Sequence, residues 1–529
     1  MHDQPEQPNE DPPDDDASAD SARRQADATK MNKRHVRGSM LLLIGRLLSL
    51  VFTVATQVVI VRALSKADYG VFAYAFTLTA SGRILLSLGQ GKLLSRFMST
   101  YEEKKDYARM FGAMLLAGVT IAITSTLLLG SLALFSRPML GAAFDEPRAV
   151  HVLLVLMFLA PLDALDQVFV SLFAVFSKPT AIFFRKYIIT PALRLGVVVI
   201  IAMTTKDVHL LAVGYVLTSA LGIGIYVVLL RRVLIERGIA HHLRRDNIII
   251  PFREVFSFSI PTLTSELVYI ATNLGSVLIL GAYWGARQVA DFRAVLPAAR
   301  LNQVVYQTFV TMFLPMTARL HARDDHDGVR DTYWHTSHFL AVSTFPVFVM
   351  TSVFAHTTTV TLFGHRYASA ASVLLALSIG YYVSIALGFN TYVLQVYGKL
   401  RFLVFSNVGV AVVSLGLAFA LTPRYGATGA AVANGATMAA QNIVNQFVLG
   451  RTMKVSGHRM KFLQPYLVIA VVLVPLILLQ VALRPGFIVA AVACTLGGLV
   501  VLRLTRNALE LTTMFPELRK IPLLGYFIV

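Results

Sequence analysis

Residues 40–61 read MLLLIGRLLSLVFTVATQVVIV, an apolar run of 22 residues that one arginine interrupts. About 20 apolar residues are enough for a helix to cross a bilayer. A helix is the form such a segment takes in lipid, because it satisfies its own backbone hydrogen bonds. Comparable runs follow along the chain, so the sequence predicts an all-α membrane protein of about 14 transmembrane helices, at residues 40–61, 69–91, 110–136, 149–176, 181–204, 208–230, 255–282, 289–317, 332–356, 368–395, 402–422, 427–449, 463–483 and 485–502.

The composition supports a membrane protein over a nucleic-acid-binding protein. Of the 529 residues, 56% are hydrophobic and 14% are charged, whereas soluble domains carry about 25% charged residues. The net charge of +18 comes from Lys and Arg in short loops, where membrane proteins keep them, so no nucleic-acid partner is expected. Cys494 is the single cysteine, which excludes an intrachain disulfide and a cysteine-based metal site.

The positive charges alternate between the two sides of the predicted spans. With the N-terminus placed in the cytoplasm, the cytoplasmic segments hold 30 Lys and Arg, against nine in the external segments. Positive charge stays inside, so the pattern predicts a multi-pass protein of the cell (inner) membrane with both termini cytoplasmic.

Composition and charge also divide the chain into segments. Residues 1–30 carry nine Asp and Glu and four Pro, and they are predicted to be a disordered, acidic cytoplasmic tail. Two pseudo-symmetric six-helix lobes are predicted at 36–230 and 255–450, around a central cavity and joined by a basic cytoplasmic linker at 231–254. Two extra helices and a cytoplasmic tail follow at 451–529. Transporters built from such repeats bind their substrate between the repeats.

Five arginines fall inside the predicted spans, where each costs about 2.5–3.5 kcal/mol unless it faces water or a partner. Asp163 and Asp166, three residues apart on one helix face, are candidate partners of Arg194. Asp291 and Arg293 lie near the external end of a span and are interpreted as interfacial.

The remaining three, Arg46, Arg83 and Arg300, indicate an anion site. No acid lies close in sequence to Arg46 or Arg83, and the planar guanidinium matches the oxygens of a phosphate group. Polar side chains such as Ser49 and Gln57 share these spans. The sequence therefore predicts an anionic, polar-headed substrate, bound by Arg46, Arg83, Arg300, Glu266, Asn273 and Gln303.

Three turn motifs carry a family resemblance. They are the run IVRALSKADYGVFA at residues 60–73, LFGHRY at residues 362–367, and YGK at 397–399 followed by PRYGATGAA at 423–431. Over residues 36–505 the chain resembles the polysaccharide-transport, or O-antigen-type, flippases of the multidrug/oligosaccharidyl-lipid/polysaccharide exporter superfamily. The motifs are turns and packing elements, so they identify the fold and not the cargo.

The resemblance implies a V-shaped pair of lobes around a cationic cavity. It implies a flippase that moves a polyprenyl-(di)phosphate-linked oligosaccharide from the cytoplasmic to the outer leaflet by alternating access, for surface polysaccharide or glycoconjugate synthesis. Members similar to the lipid II flippase carry cavity arginines in helices comparable to those of Arg46, Arg83 and Arg300. The implied partners are the lipid-linked glycan, membrane lipids and, as candidates, glycan-assembly enzymes.

Two alternatives are less consistent with the sequence. A multidrug or cationic-solute antiporter of the same superfamily would need a net acidic cavity, and the first span lacks the acid that some of those transporters use. A polysaccharide polymerase or ligase would keep a long periplasmic loop, and the external loop at 137–148 is short. No enzyme motif is found, so we expect no catalysis and no cofactor, with a proton or sodium gradient as the candidate energy source.

The composition of residues 1–30 generates a prediction about a truncated chain. Translation from Met31 is expected to preserve insertion and transport, because the charges that orient the first helix, Lys33, Arg34 and Arg37, lie beyond the tail. Labelling of cysteines introduced into the loops, together with an assay of surface glycan in a null strain, tests this. Correct insertion with lost glycan would show that the tail recruits a partner.

Overall fold

The computed structural model describes residues 41–42, 44–88, 90–141, 147–176, 178–239, 248–453 and 459–509, and their regular structure is helical. The predictions for the acidic tail 1–30, for Met31 and for Lys33, Arg34 and Arg37 concern residues outside this described part. Large apolar side chains such as Val51, Val412 and Ile488 are exposed on the surface. Such a surface suits hydrocarbon and not water, and the chain is a multi-pass membrane protein.

The N-terminal half, residues 44–239, is a bundle of helices with a break in its fifth predicted span. Pro191 has no N–H for the carbonyl of Tyr187, and the backbone passes through a π-helix at Phe183–Ile189 just before this proline. The α-helices are α1 Ile44–Ala63, α2 Lys66–Leu86, α3 Gln90–Glu103, α4 Tyr107–Gly141, α5 Pro147–Met157, α6 Leu159–Val175, α7 Pro179–Ile182, α8 Thr190–Met203 and α9 Val208–Glu236.

The C-terminal half, residues 248–453, contains two long helices that reverse direction, and the last two helices pack against α12. A 3₁₀ turn at His365–Ala370 precedes α14. The helices are α10 Phe252–Arg300, α11 Gln303–Ala322, α12 His326–Ser352, α13 Ala355–Phe363, α14 Ala371–Ala386, α15 Asn390–Val396, α16 Leu400–Thr452, α17 Arg459–Leu483 and α18 Phe487–Leu509.

The helices account for the predicted spans, although not one for one. Ten described helices are long and apolar enough to cross a membrane, or eleven if α12 and α13, which bend by 72°, form one span. The count is lower than 14 for two reasons. Spans 255–282 and 289–317 are joined in α10 at Gly285 (φ 69°), and spans 402–422 and 427–449 are joined in α16 at Gly426 (φ 56°). In addition α2, which carries the second predicted span, is not among these candidates. Each of the 14 predicted spans overlaps a helix or a helix pair, and the predicted fold class is confirmed. The domain boundaries stay predictions.

The two halves share a hydrophobic core at one end of the molecule. This turn end carries residues 62–70, 284–291, 361–372 and 422–428. One buried cluster there joins Ile60 and Tyr69 of the N-terminal half to residues such as Val289 and Ala430 of the C-terminal half. The shared core holds the halves together at the turn end.

Two arginines from the turn motifs reinforce this junction by reaching across it. The Arg62 Nε donates to the Leu362 carbonyl at 2.9 Å, and Arg62 also donates to Thr361. In return, the Arg366 guanidinium donates to the carbonyl of Arg62 at 2.8 Å and to that of Val61. The first two family motifs are therefore contacts between the halves as well as local turns.

A buried ion pair lies beside these arginines. Lys66 Nζ is 2.7 Å from Asp291 Oδ1, and Ser369 Oγ donates to Asp291 Oδ2 at 3.1 Å. Asp291 is 2% exposed, so its interfacial interpretation is wrong: Lys66, 225 residues away in sequence, neutralises it inside the junction. Next to this pair, a Cβ on Gly70 would lie 2.0 Å from the Ala286 carbonyl oxygen, so the helices approach closely only because residue 70 is glycine.

At the opposite end, which we call the loop end, each half has a core of its own. One buried cluster lies between residues 42 and 239 and another between residues 305 and 453. Residues that follow the linker bind the N-terminal half there: Ile249 N–H donates to the Ala108 carbonyl at 3.3 Å, and Tyr101 donates to Glu254 at 2.7 Å. The two halves therefore share a core at the turn end, and they have separate cores at the loop end.

The close approach at Gly70 generates a prediction. Gly70→Ala is expected to destabilise the protein by at least about 1–3 kcal/mol, because the new methyl group meets backbone that cannot move aside. Gly118→Ala in α4 is the matched control, since a Cβ there meets nothing within 4 Å. Thermal unfolding of the purified protein, followed with a thiol-reactive dye on the buried Cys494, measures both variants. Equal melting temperatures would contradict the role given to Gly70.

Candidate functional site

A cavity of about 540 Å³ lies between the N-terminal half and α10, on the loop-end side of the shared core. This volume lies within the range of roughly 300–1,000 Å³ found for ligand pockets. Its walls come from α1, α2, α6, α8, α9, the π-helix and the second arm of α10, which is residues 286–300 after the kink at Gly285. The polar and charged lining residues are Ser49, Thr53, Thr56, Gln57, Tyr69, Arg83, Asp163, Asp166, Gln167, Arg185, Lys186, Thr190, Arg194, Tyr215, Ser219, Arg293 and Arg300.

The lining carries an excess of positive charge. Among the described residues around the cavity, six are cations and two are carboxylates, and all of them lie inside the membrane domain. An anion that entered the cavity would gain from this field, because water screens charges less in a confined space than at an open surface. The cations are Arg83, Arg185, Lys186, Arg194, Arg293 and Arg300.

One of the two carboxylates serves a buried arginine. Asp166 forms an ion pair with Arg185, whose side chain is 5% exposed. The Arg185 Nε also donates to the Gly222 carbonyl at 3.1 Å, and its guanidinium lies 4.2 Å from the centre of the Tyr226 ring. These contacts fix Arg185 in the wall of the cavity and neutralise its charge.

The other carboxylate lies near Arg194. Asp163 Oδ1 is 3.8 Å from Arg194 Nη2, which donates to Ser219 at 2.7 Å, and the guanidinium faces the Tyr215 ring at 5.2 Å. The sequence predicted that Asp163 and Asp166 serve Arg194 together. In the structure each acid contacts a different arginine: Asp163 lies near Arg194, and Asp166 pairs with Arg185. The charge count had assigned Arg185 to a cytoplasmic loop.

Arg293 and Arg300 lie on the second arm of α10. The Arg293 guanidinium donates to the Thr77 hydroxyl of α2, and Arg300 Nε donates to the Tyr381 hydroxyl of α14 at 3.2 Å. Arg300 is the last residue of α10, at the break before α11. The eighth predicted span is therefore discontinuous at its charged residue, as helices often are at transporter sites.

The structure brings some of the predicted binding residues together and leaves others apart. Arg83 and Arg300 both line the cavity. Arg46 is exposed and is not among the lining residues, but its Nε donates to the Tyr187 hydroxyl at 3.3 Å. The other three lie on α10 and α11 outside this lining, and their role stays a prediction: Glu266, Asn273 and Gln303.

Sequence reasoning missed Arg185 and Lys186, which the π-helix places in the cavity wall. The charge count placed them in a loop, although they fall inside the predicted span 181–204. Pro191, a few residues further on, was the available signal, because a proline within a span marks irregular backbone.

A family of polysaccharide biosynthesis proteins matches the chain over residues 59–372. No curated protein matches its sequence. The structure of the lipid II flippase MurJ in an inward closed conformation is similar, with a TM-score of 0.66 at 13% identity over 91% of this chain and 99% of that one.

Other multidrug/oligosaccharidyl-lipid/polysaccharide exporter transporters share the fold. An inward-facing multidrug resistance MATE transporter gives a TM-score of 0.61 at 12% identity, over 77% of this chain and 96% of that one. A transporter from Pyrococcus furiosus, described as having a binding pocket of reverse polarity, gives a TM-score of 0.53 at 16% identity, over 80% of this chain and 96% of that one. These identities establish the fold alone.

The two carboxylates of the cavity are expected to differ in their effect on stability. Asp166→Asn leaves the Arg185 guanidinium buried without its anion, which costs about 3–5 kcal/mol. Asp163→Asn, the matched control, removes a longer and more exposed contact worth about 0–1 kcal/mol. Loss of monodisperse protein on heating, measured by size-exclusion chromatography, compares the two. If Asp163→Asn were the more damaging change, the pairing of Arg185 with Asp166 would be wrong.

Proposed function

The chain belongs to the polysaccharide biosynthesis protein family, and on that basis we propose that it is a flippase for a polyprenyl-diphosphate-linked oligosaccharide. It moves this lipid from the cytoplasmic to the outer leaflet of the cell membrane by alternating access, without covalent chemistry. The transported glycan then enters surface polysaccharide or glycoconjugate synthesis.

The observation that carries the proposal is the charge of the cavity. Asp166 and Asp163 lie against Arg185 and Arg194, and the described lining, with six cations and two carboxylates, carries a net excess of four positive charges. A diphosphate supplies the matching anion, and guanidinium groups bind its oxygens through charge-assisted hydrogen bonds. The hydroxyl and amide side chains of α1 and α2, such as Ser49, Thr53 and Gln57, can bind the hydroxyl groups of sugars.

The same charge disfavours a multidrug or cationic-solute antiporter. A cationic solute in this cavity would lie among six cations, with both lining carboxylates already in contact with arginines. Like charges at short range in a partly desolvated site repel strongly. The polarity of the cavity therefore favours an anionic cargo.

The packing of the halves suggests which state of the transport cycle this is. The junction at the turn end closes the cavity on that side, whereas the two halves have separate cores at the loop end. With the orientation that the positive-inside rule predicts, the turn end faces outward and the site faces the cytoplasm. A substrate made in the cytoplasm would enter this state.

Transport against a gradient needs an energy source. We propose coupling to a proton or sodium gradient, with Glu266 as the acid that titrates or exchanges partners during the cycle. Glycan-assembly enzymes are the proposed protein partners, since they supply the lipid-linked glycan and consume it.

Removal of single site arginines tests the proposal. Arg83→Ala and Arg300→Ala are each expected to remove a charge-assisted contact worth about 1.5–3 kcal/mol and to reduce transport at least about ten-fold. Arg46→Ala is expected to act in the same direction. Surface glycan in a null strain, at matched protein levels, is the measurement. Arg424→Ala, an exposed arginine of the turn end, is the control. Full glycan display by all three variants would rule out the proposed site.

A further inference from the structure

The π-helix at Phe183–Ile189 places two adjacent cations in the cavity wall with different surroundings. Arg185 is held by Asp166, by the Gly222 carbonyl and by the Tyr226 ring. A Cβ on Gly222 would lie 2.4 Å from Arg185 Nη2, so the wall is shaped around this guanidinium. Arg185 is a structural cation, and its charge is not available to a ligand.

Lys186 also lines the cavity, but its neighbours are cations. It shares the cavity lining with Arg83 and Arg185, and the next residue, Tyr187, accepts a hydrogen bond from Arg46. Lys186 forms no ion pair with any carboxylate in the described part of the chain. Arg83 likewise forms no ion pair there. Lys186 and Arg83 are both half-buried, and like charges in such a setting repel one another, so an anion that binds between them stabilises both.

Close packing brings the first helix into the same group. A Cβ on Gly45 would lie 2.7 Å from the Tyr187 ring, so α1 approaches the π-helix closely only because residue 45 is glycine. The next residue, Arg46, donates to the Tyr187 hydroxyl at 3.3 Å. Arg83 comes from the last turn of α2, where the negative end of the helix dipole stabilises a cation. The π-helix and α2 thus both place cations in the cavity lining, and α1 places Arg46 against the π-helix.

We propose that Lys186 is a substrate-binding residue that completes a diphosphate subsite with Arg83 and Arg46, and that this subsite selects a diphosphate over a monophosphate carrier. The inference rests on the proposed function and extends it to a residue outside the predicted site. A lysine ammonium is a compact point charge with three donors, so it can bind oxygens of both phosphate groups. A monophosphate, with less negative charge, gains less from a third cation.

Binding to the purified full-length protein tests this inference. The probes are farnesyl diphosphate, farnesyl monophosphate and free inorganic pyrophosphate, and microscale thermophoresis at fixed ionic strength gives their affinities. Lys186→Gln is expected to weaken farnesyl diphosphate binding about ten-fold and monophosphate binding less, while Lys186→Arg retains the preference. The control is Lys178→Gln, at the lysine nearest to Lys186 in sequence. Lys178 pairs with Glu236 and does not line the cavity, so this variant is expected to bind the probes as the wild type does.

The outcomes distinguish failure of the subsite from failure of the proposed function. If Lys186→Gln binds farnesyl diphosphate normally while Arg83→Gln and Arg300→Gln bind it weakly, the subsite is wrong and the flippase proposal stands. If none of the three variants weakens binding, the cavity is not the diphosphate site and both proposals fail. Lys186→Met serves as a second charge-removing variant should Lys186→Gln not fold. Pyrophosphate that binds as tightly as the farnesyl probe would identify a site for free phosphates and overturn the assignment to a lipid carrier.

Discussion

The junction between the two halves at the turn end is the constraint on which the rest of the structure depends. Arg62 and Arg366 each donate to backbone carbonyls near the other, so two segments about 300 residues apart are held in register. Carbonyl groups at helix ends have no partner within their own helix. The arginines satisfy these groups across the junction, and the halves can diverge toward the loop end without separating.

The arginines of the cavity are of two kinds, those that contact a carboxylate and those that do not. Arg185 contacts a carboxylate, an aromatic face and a carbonyl at once, and such a side chain is part of the fold. Arg83 lines the same cavity with no carboxylate in ion-pair range among the described residues. The difference comes from Asp166, which supplies charge for one arginine only. Pairing of some arginines with carboxylates limits the energetic cost of the charged cavity, and the remaining cations leave the cavity positive.

The sequence predicts the helices well because hydrophobic length and loop charge are local properties. The turn motifs around Gly70 and Gly364 could also be recognised, but their partners could not, since Gly70 packs against Ala286, more than 200 residues away. For the same reason Asp291 was misinterpreted as interfacial. Of the predicted site residues, Arg83 and Arg300 line the cavity, and their role in binding stays a prediction. Lys186 was missed because a count of loop charges does not detect a π-helix, which depends on backbone geometry.

The course of α10 has a mechanical consequence. Asp291 belongs to the junction and Arg300 to the cavity, and they lie nine positions apart in one helix, a rise of about 13.5 Å. A helix of that length moves as a rigid body. Any motion that parts Lys66 from Asp291 therefore also displaces the guanidinium groups of Arg293 and Arg300 relative to the opposite wall. The ion pair of the junction and the cavity arginines therefore lie on one continuous helical segment, and a displacement of one is transmitted to the other.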